Sequence, residues 1–224
     1  MKLINLSKYY LYLFLLILIG CNANSKPLVD FPLAKGNQWT YAATIKYHDD
    51  DIDSMITKQT NWLMEVVDVI PHGNASAVII KGFPTDLVWY EGKADRGNYL
   101  LLVDSNKVYL SNLPPEDSLN LRVKDTNDAL TDLKTGYNII FDFPLVKGKT
   151  WGADPEMPQR SDSMYAWVVQ NTASLTEAAA IKYNTNPDHS IFEFKPGVGI
   201  TGYQFEHHGT VMTLDMKLIS QKNQ

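Results

Sequence analysis

The densest cluster of potential metal ligands in the sequence is an acidic segment near residue 50. Asp49, Asp51 and Asp53 have the alternate spacing of ligands in a calcium-binding loop. An EF-hand loop also needs glycine at its sixth position and glutamate at its twelfth, where this chain has Ser54 and Thr60. We therefore predict a solvated turn, with weak cation binding by the three aspartates as the alternative.

A second set of ligating side chains lies near the C-terminus, at Glu206, His207 and His208. Adjacent residues of a strand point to opposite faces, so Glu206 and His208 are the pair that can share a face. A catalytic zinc would need a third ligand, such as His189 or Asp188. The HExxH spacing of zinc proteases is absent. A polar hairpin end is the simpler interpretation, and a hydrolase using Glu206 and His208 is the alternative.

Other familiar catalytic patterns are absent from the sequence. No Gly-x-Ser-x-Gly segment marks a nucleophilic serine. The segment Gly197-Val198-Gly199 lacks the third glycine and the following helix of a phosphate-binding loop. We therefore predict a protein without catalytic residues, resident metal or cofactor.

Aromatic residues are numerous, with 5 Trp and 12 Tyr. Large aromatic side chains fill the core of curved sheets well, so most of them should be buried. Four tryptophans are also candidates for facing an apolar or sugar ligand: Trp39, Trp89, Trp151 and Trp167. Both roles stay open at the level of the sequence.

The N-terminal segment has the organisation of a secretory signal. Lys2 and Lys8 precede an apolar run over residues 11–19, which is shorter than the ~20 residues of a membrane-spanning helix. The segment Leu18-Ile19-Gly20-Cys21 resembles a lipobox, and on these residues the chain is identified as a bacterial lipoprotein. The resemblance implies cleavage before Cys21 and a diacylglycerol, with acyl chains such as palmitate, on its thiol.

Lipidation of Cys21 bears on the rest of the chain. Two or three acyl chains on one residue give firm anchoring. Cys21 is the only cysteine, so the folded part has no disulfide, although an exported context would permit one. Asn22 follows it, with no aspartate at the position that usually retains lipoproteins in an inner membrane. The expected location is the cell envelope, and the outer membrane if the host has two.

The charge of the chain limits its partners. The formal net charge is -5, and no run of Lys or Arg is present. Phosphate contacts need clustered basic residues, so we expect no nucleic-acid partner. The expected partners are the membrane, through the lipid on Cys21, and an unidentified envelope protein or an apolar or sugar ligand.

Period-two alternation predicts β-strands along most of the remaining sequence. The clearest case starts at Trp39, where alternate residues up to Tyr47 are mostly large and apolar. Further strands are predicted near residues 58–70, 75–82, 86–91, 99–104, 107–112, 137–143, 163–172, 191–195, 200–207 and 211–219. A short helix is predicted over 126–134. Residues 174–184 fit a helix or a strand, and we favour a strand over 178–183.

This spacing of strands and turns indicates an all-β fold. We predict an antiparallel barrel or strongly curved sheet of roughly ten to twelve strands, with a β-sandwich as the alternative. The predicted organisation is a signal peptide at residues 1–20, a tether at 21–30 and one β domain at 31–224.

A nine-residue motif occurs twice. Residues 31–39 read FPLAKGNQW and residues 143–151 read FPLVKGKTW, so that six of nine positions are identical. Proline cannot donate to a strand ladder and glycine permits a tight turn, so each copy should lead into a strand that begins with a core tryptophan. The repetition predicts two similar halves.

These motifs carry a resemblance to a wider group. The FPLxxGxxW pattern, together with Phe194-x-Pro196-Gly197-Val198-Gly199, resembles a group of exported bacterial β proteins and lipoproteins of unassigned function. The resemblance covers most of residues 31–219 and implies fold and compartment, but it supplies no catalytic residues. We predict a membrane-anchored envelope lipoprotein that acts as a non-catalytic binding or assembly module. A carrier of lipid or another apolar ligand is the alternative, beside the hydrolase named above.

Overall fold

The computed structural model describes residues 30–49, 51–72, 75–90, 95–111, 137–152, 164–185, 188–207 and 212–224. Within these ranges the chain forms twelve strands and one 3-10 helix (Pro84–Trp89). The strands are β1 (Gln38–Asp49), β2 (Ser54–His72), β3 (Ala75–Lys81), β4 (Asn98–Asp104), β5 (Lys107–Ser111), β6 (Tyr137–Asp142), β7 (Thr150–Trp151), β8 (Trp167–Val169), β9 (Ala179–Asn184), β10 (Asp188–Lys195), β11 (Gly199–His207) and β12 (Met212–Lys222). No helix in the described ranges is long and apolar enough to cross a membrane.

All twelve strands belong to one antiparallel sheet that curls into a nearly closed barrel. Strands β1 to β6 form one meander and β7 to β12 a second, and the two meanders join where β1 pairs with β12. At the two free edges, Trp151 of β7 donates its indole N–H to the carbonyl of Ile139 in β6 at 3.1 Å. The predicted all-β barrel with two similar halves is confirmed. The sandwich alternative is wrong, because the strands form one continuous sheet.

The alternation predicted for the first strand is confirmed. In β1 the side chains of Trp39, Tyr41, Ala43 and Ile45 are buried in the barrel, and the residues between them are less buried. Tyr41 donates its hydroxyl to the carbonyl of Ile200 at 3.0 Å. Burial raises the pKa of Tyr41 well above its usual range. The period-two pattern therefore reports which face of the strand lines the core.

The two copies of the nine-residue motif precede β1 and β7, the first strands of the two meanders. In the first copy, Gly36 N–H donates to the carbonyl of Val66 and Val66 N–H donates to the carbonyl of Asn37, both at 2.9 Å. Residues 148–149 make the same pair of bonds with Val169, at 2.8 and 3.0 Å. Both glycines have a positive φ, 87° for Gly36 and 84° for its counterpart. The repeated sequence thus builds a repeated turn.

The strand predicted over residues 86–91 is wrong, because that part of the chain forms the 3-10 helix. Pro84 at the first turn has no N–H for a strand ladder and fits the start of a helix. Asp86 N–H donates to the carbonyl of Phe83 at 3.0 Å, a local bond that replaces a ladder bond. Leu87 is buried and fixes the helix against the barrel.

Two other predictions change in extent. The strand predicted over residues 163–172 is confirmed only for Trp167–Val169, since Tyr165 has a φ of 60° and cannot extend it. In the ambiguous segment the strand interpretation is confirmed as Ala179–Asn184. Ser174 instead closes a turn, in which its Oγ accepts the Glu177 N–H at 3.0 Å. The helix predicted over 126–134 lies outside the described residues. The other predicted strands are confirmed, with ends shifted by a few residues.

Candidate functional site

One end of the barrel is filled by aromatic side chains, and we call it the closed end. Phe194 of β10 lies at its centre, with ring-centroid distances of 5.3 Å to Phe31, 5.1 Å to Phe141 and 5.0 Å to Phe143. Trp39 packs against the same cluster and donates its indole N–H to the carbonyl of Val198 at 2.7 Å. These rings come from three separate parts of the chain and together fill this end of the barrel.

The opposite end, which we call the open end, holds an interior cavity of about 240 Å³. The cavity lies beside the 3-10 helix, between β5 and β6 on one side and β8 to β11 on the other. We call it the aromatic cavity, because most of the side chains that line it are aromatic or carry a hydroxyl. They include Phe83, Trp167, Tyr183, Ser190, Phe192 and Tyr203. A groove of about 450 Å³ on the outer wall is larger, but it is shallower and lined mainly by polar side chains.

Strand register explains why these aromatic residues meet. Trp167 of β8 lies opposite Tyr183 of β9, and Tyr183 lies opposite Ser190 of β10. Phe192 of β10 lies opposite Tyr203 of β11. The ring centroids are 4.7 Å apart for Trp167 and Tyr183 and 4.6 Å apart for Phe192 and Tyr203. Their tilted rings stand side by side on four neighbouring strands, so they line one wall of the cavity.

The polar side-chain groups of the aromatic cavity are hydroxyls and the indole N–H of Trp167. Tyr203 is 2% exposed, and its hydroxyl lies 3.4 Å from Ser190 Oγ, which is a long hydrogen bond. Burial raises the pKa of Tyr203 to about 12. Burial also raises the pKa of Tyr183, and Tyr165 adds to that rise. Both phenols are therefore neutral at ordinary pH, and Tyr203 has hydrogen-bonding capacity for a ligand.

A second polar contact holds the 3-10 helix beside the cavity. The Asp86 carboxylate accepts hydrogen bonds from the Tyr99 hydroxyl and, at 3.0 Å, from the Gly97 N–H. Burial raises the pKa of Asp86, and these two hydrogen bonds oppose that rise. The pKa of Tyr99 is raised by burial and by the neighbouring carboxylate. The contact ties the helix to β4 and so fixes one border of the cavity.

The four tryptophans predicted to face a ligand have different surroundings. Trp167 lines the aromatic cavity. Trp39 and Trp151 are buried in the core, each with its indole N–H bonded to a backbone carbonyl. Trp89 is 82% exposed at the end of the 3-10 helix. The structure therefore does not bring these four side chains together.

Of the candidate hydrolase pair, Glu206 falls within the described part of the chain. Glu206 is on the outer wall opposite His189, and both border the outer groove. His207 points to the other face and bonds through Nδ1 to the carboxylate of Asp188. His208 lies outside the described residues. His189 and Asp188, considered as third ligands, are thus separated, and His189 Nδ1 lies 2.7 Å from Asn184 Oδ1.

The acidic turn between β1 and β2 contains the three aspartates predicted to bind a cation weakly. Asp49 Oδ1 accepts the Asp51 N–H at 3.1 Å, and Asp53 Oδ1 lies 3.2 Å from His48 Nε2. Across the described part of the chain, no three His, Cys, Asp or Glu side chains are grouped so that they could hold a metal ion. Weak cation binding at this turn stays a prediction.

Sequence reasoning missed Tyr183, Ser190, Phe192 and Tyr203 as cavity residues because it selected tryptophans by type. The signal that could have found them is alternation: each of the four takes an inward position in its strand, and Tyr183 is partnered across the ladder by Ser190. The same rule places Trp39 inside the barrel, as observed. The lipobox-like segment with Cys21 lies outside the described residues.

Comparison with known proteins found similarity among solved structures alone. No family model matches the chain, and no curated protein matches it. Among solved structures, the chain is similar to a candidate lipoprotein from Parabacteroides distasonis, with 11% identity, a TM-score of 0.42, and coverage of 87% of this chain and 98% of that one. It is also similar to a candidate exported protein with a YmcC-like fold from Bacteroides fragilis, with 12% identity, a TM-score of 0.43, and coverage of 86% and 98%.

Proposed function

We propose that the protein is a lipid-anchored lipoprotein of the bacterial cell envelope that acts as a non-catalytic binding module for a small neutral ligand with a planar apolar ring. The anchor is the acylated Cys21, and the proposed location in a host with two membranes is the outer one. The lipobox-like residues 18–21 and the apolar run before them support this compartment. A protein partner in the envelope is the alternative.

The aromatic cavity is the observation that carries the binding proposal. Its volume of about 240 Å³ exceeds the roughly 150 Å³ of an apolar cavity that holds benzene. It is smaller than the roughly 300 Å³ at which sites for drug-sized ligands begin. A single or fused ring fits this volume and a pair of acyl chains does not. The size therefore favours a small ring-bearing ligand over the membrane lipid of the carrier alternative.

The chemistry of the lining favours a neutral ligand. Trp167 and Phe192 offer ring faces and edges for stacking. Tyr203 and Ser190 offer hydroxyls that can donate or accept one hydrogen bond. Among the described residues that line the cavity none carries a charge. A charged ligand would lose its hydration there without a partner of opposite charge.

The lining also supports binding without catalysis. The aliphatic hydroxyls in the lining are those of Ser190 and Thr85, and the hydrogen-bonding neighbour of Ser190 is Tyr203. The raised pKa keeps Tyr203 protonated, so it is a poor general base for Ser190 at ordinary pH. We therefore propose no reaction at this site.

Native mass spectrometry of the purified full-length protein, followed by calorimetric titration with 2-naphthol, tests the binding proposal. We expect 2-naphthol to bind in the cavity, and Trp167→Ala to weaken binding about tenfold or more, because one stacking wall is removed. Tyr203→Phe should weaken it about fivefold, the effect of one hydrogen bond. Trp89→Ala is the matched control, because Trp89 is exposed and lies outside the cavity lining. Equal affinity in Trp167→Ala and the wild type would reject the site.

A further inference from the structure

The segment before the barrel joins it at the closed end. Asp30 is the first described residue, and its carbonyl accepts a hydrogen bond from Gly197 N–H at 2.8 Å. Phe31 follows directly and is buried against Phe194. A tether that starts at Cys21 therefore meets the folded domain beside the turn between β10 and β11.

Two loops at the closed end expose aliphatic side chains. Val146, in the loop before β7, is 47% exposed, and Leu175, in the loop before β9, is 76% exposed. The loops are bonded to each other, because Lys147 N–H donates to Thr172 Oγ1 at 3.0 Å. This hydrogen bond holds the two loops together. Both aliphatic side chains therefore project from the end where the tether joins the domain.

Two lysines at the closed end lie where they can contact anionic lipid headgroups. Lys147 is exposed beside Val146, and Lys195 precedes the turn that contacts Asp30. Asp30 and Glu177, at the same end, balance the formal charge of these two lysines. Lysines close to a membrane are attracted by anionic headgroups, and the attraction falls off within a Debye length.

The open end includes the acidic turn. The turn between β1 and β2 places the exposed side chain of Ile52 between Asp51 and Asp53. Insertion of Ile52 into a bilayer would bring the flanking carboxylates into contact with anionic headgroups, which repel them.

The reach of the tether separates the two ends further. Strand β1 has 12 residues, which corresponds to about 40 Å along the strand, or about 30 Å of barrel height at the usual tilt. Residues 22–30 span at most about 30 Å when fully extended. The open end could reach the membrane only with the tether stretched along the barrel wall, whereas the closed end reaches it with the tether relaxed.

We propose that the closed end is the membrane-facing surface of this protein. Val146 and Leu175 insert among the headgroups of the bilayer that holds Cys21, and Lys147 and Lys195 contact anionic lipid. The inference rests on the lipid anchor of the proposed function. In this orientation the aromatic cavity opens away from the membrane, toward the aqueous space from which its ligand arrives.

Quenching by brominated lipid tests this orientation. The full-length lipidated protein is reconstituted into vesicles of phosphatidylethanolamine and phosphatidylglycerol, with or without brominated acyl chains. Leu175→Trp and Ile52→Trp add one tryptophan at an exposed aliphatic position of each end. We expect brominated lipid to reduce the added emission of Leu175→Trp by about half, as for a side chain inserted at the headgroup boundary, and to leave that of Ile52→Trp unchanged. Val146→Trp is a second variant and should behave as Leu175→Trp does.

The outcomes separate the orientation from the anchor. Equal quenching at both ends, or quenching of Ile52→Trp alone, overturns the orientation. Vesicle flotation of the wild type is measured in parallel. A protein that floats while Leu175→Trp and Val146→Trp stay unquenched rejects the orientation and leaves the anchor standing. A protein that does not float rejects both, while the 2-naphthol titration still decides the cavity separately.

Discussion

The closed and open ends of the barrel are both rich in aromatic side chains, yet they are packed differently. At the closed end Phe31, Phe143 and Phe194 come from distant parts of the chain and meet near the barrel axis, with their rings edge to face. At the open end Trp167 and Tyr203 stand on one wall and leave a cavity of about 240 Å³.

The two ends differ in where their rings pack, and not in the number of rings. Phe31 enters the closed end from outside the sheet, on the segment before β1, and occupies space that strand side chains do not reach. Gly199 has no Cβ, and one placed there would lie 2.5 Å from the Phe31 ring. At the open end Phe83 also enters from outside the strands, just before the 3-10 helix, and packs against Phe192 at 5.9 Å. Trp89 at the end of that helix is exposed, and the cavity stays unfilled.

The largest expected effect compares one aromatic residue from each end. Phe194→Ala should reduce the free energy of unfolding by about 3–5 kcal/mol, because the fully buried ring leaves a void among its neighbours. Trp167→Ala should cost at least about 2 kcal/mol less, since Trp167 is part-exposed and already borders a cavity. Urea unfolding of both variants measures the difference. Equal costs would mean that the two ends are equally well packed.

The next effect is a pH dependence at the open end. The Tyr203 phenol ionises at about 12 in the folded protein and at about 10 when unfolded. The neutral phenol therefore makes its full contribution to the free energy of unfolding below pH ~10. As the pH rises toward ~12, this contribution of about 2–3 kcal/mol is lost. Tyr203→Phe should lack this component of the loss. Urea unfolding of the wild type and Tyr203→Phe at several alkaline pH values measures this loss. The same pH dependence of the free energy of unfolding in both proteins would contradict the prediction.

A smaller effect compares a polar residue from each end. Asn37 is buried at the closed end, where its side chain donates to the carbonyl of Pro32 at 2.6 Å and accepts the Gln224 N–H at 2.9 Å. Asn37→Ala should cost about 1–3 kcal/mol, because it leaves backbone groups without partners. Ser190→Ala should cost less than about 0.5 kcal/mol, since its contact with Tyr203 is long. Thermal unfolding ranks the two, and the reverse order would contradict this account.

The smallest effect is expected for Trp89. Trp89→Ala should change the free energy of unfolding by less than about 0.5 kcal/mol, because an exposed side chain removes little apolar area from water. Chemical denaturation measures it. A cost above 1 kcal/mol, on the scale of burial of a side chain, would show that Trp89 packs against the open end and would narrow the difference between the ends.

Much of the fold could be predicted from the sequence, because alternation in a strand is a local signal. The inward positions of β1 from Trp39 to Ile45 are buried as predicted, and the turn at residues 105–106 lies between β4 and β5 as expected. The repeated FPLxxGxxW motif predicted two halves, and each copy precedes a meander of six strands. The strand predicted over residues 86–91 was wrong, because Pro84 and the buried Leu87 favour a 3-10 helix over pairing in the sheet.

The sequence by itself thus determined that the chain is a β protein with two similar halves, and it carries the lipobox-like signal at Cys21. Only the tertiary structure decided which aromatic residues fill the barrel and which line a cavity. That outcome depends on strand register and on irregularities such as those at Thr40/Tyr41 and Glu193/Phe194. One extra residue in a strand moves the following side chains to the other face. Because register is set between segments far apart in the chain, no local pattern distinguishes Trp39 in the core from Trp167 at the cavity.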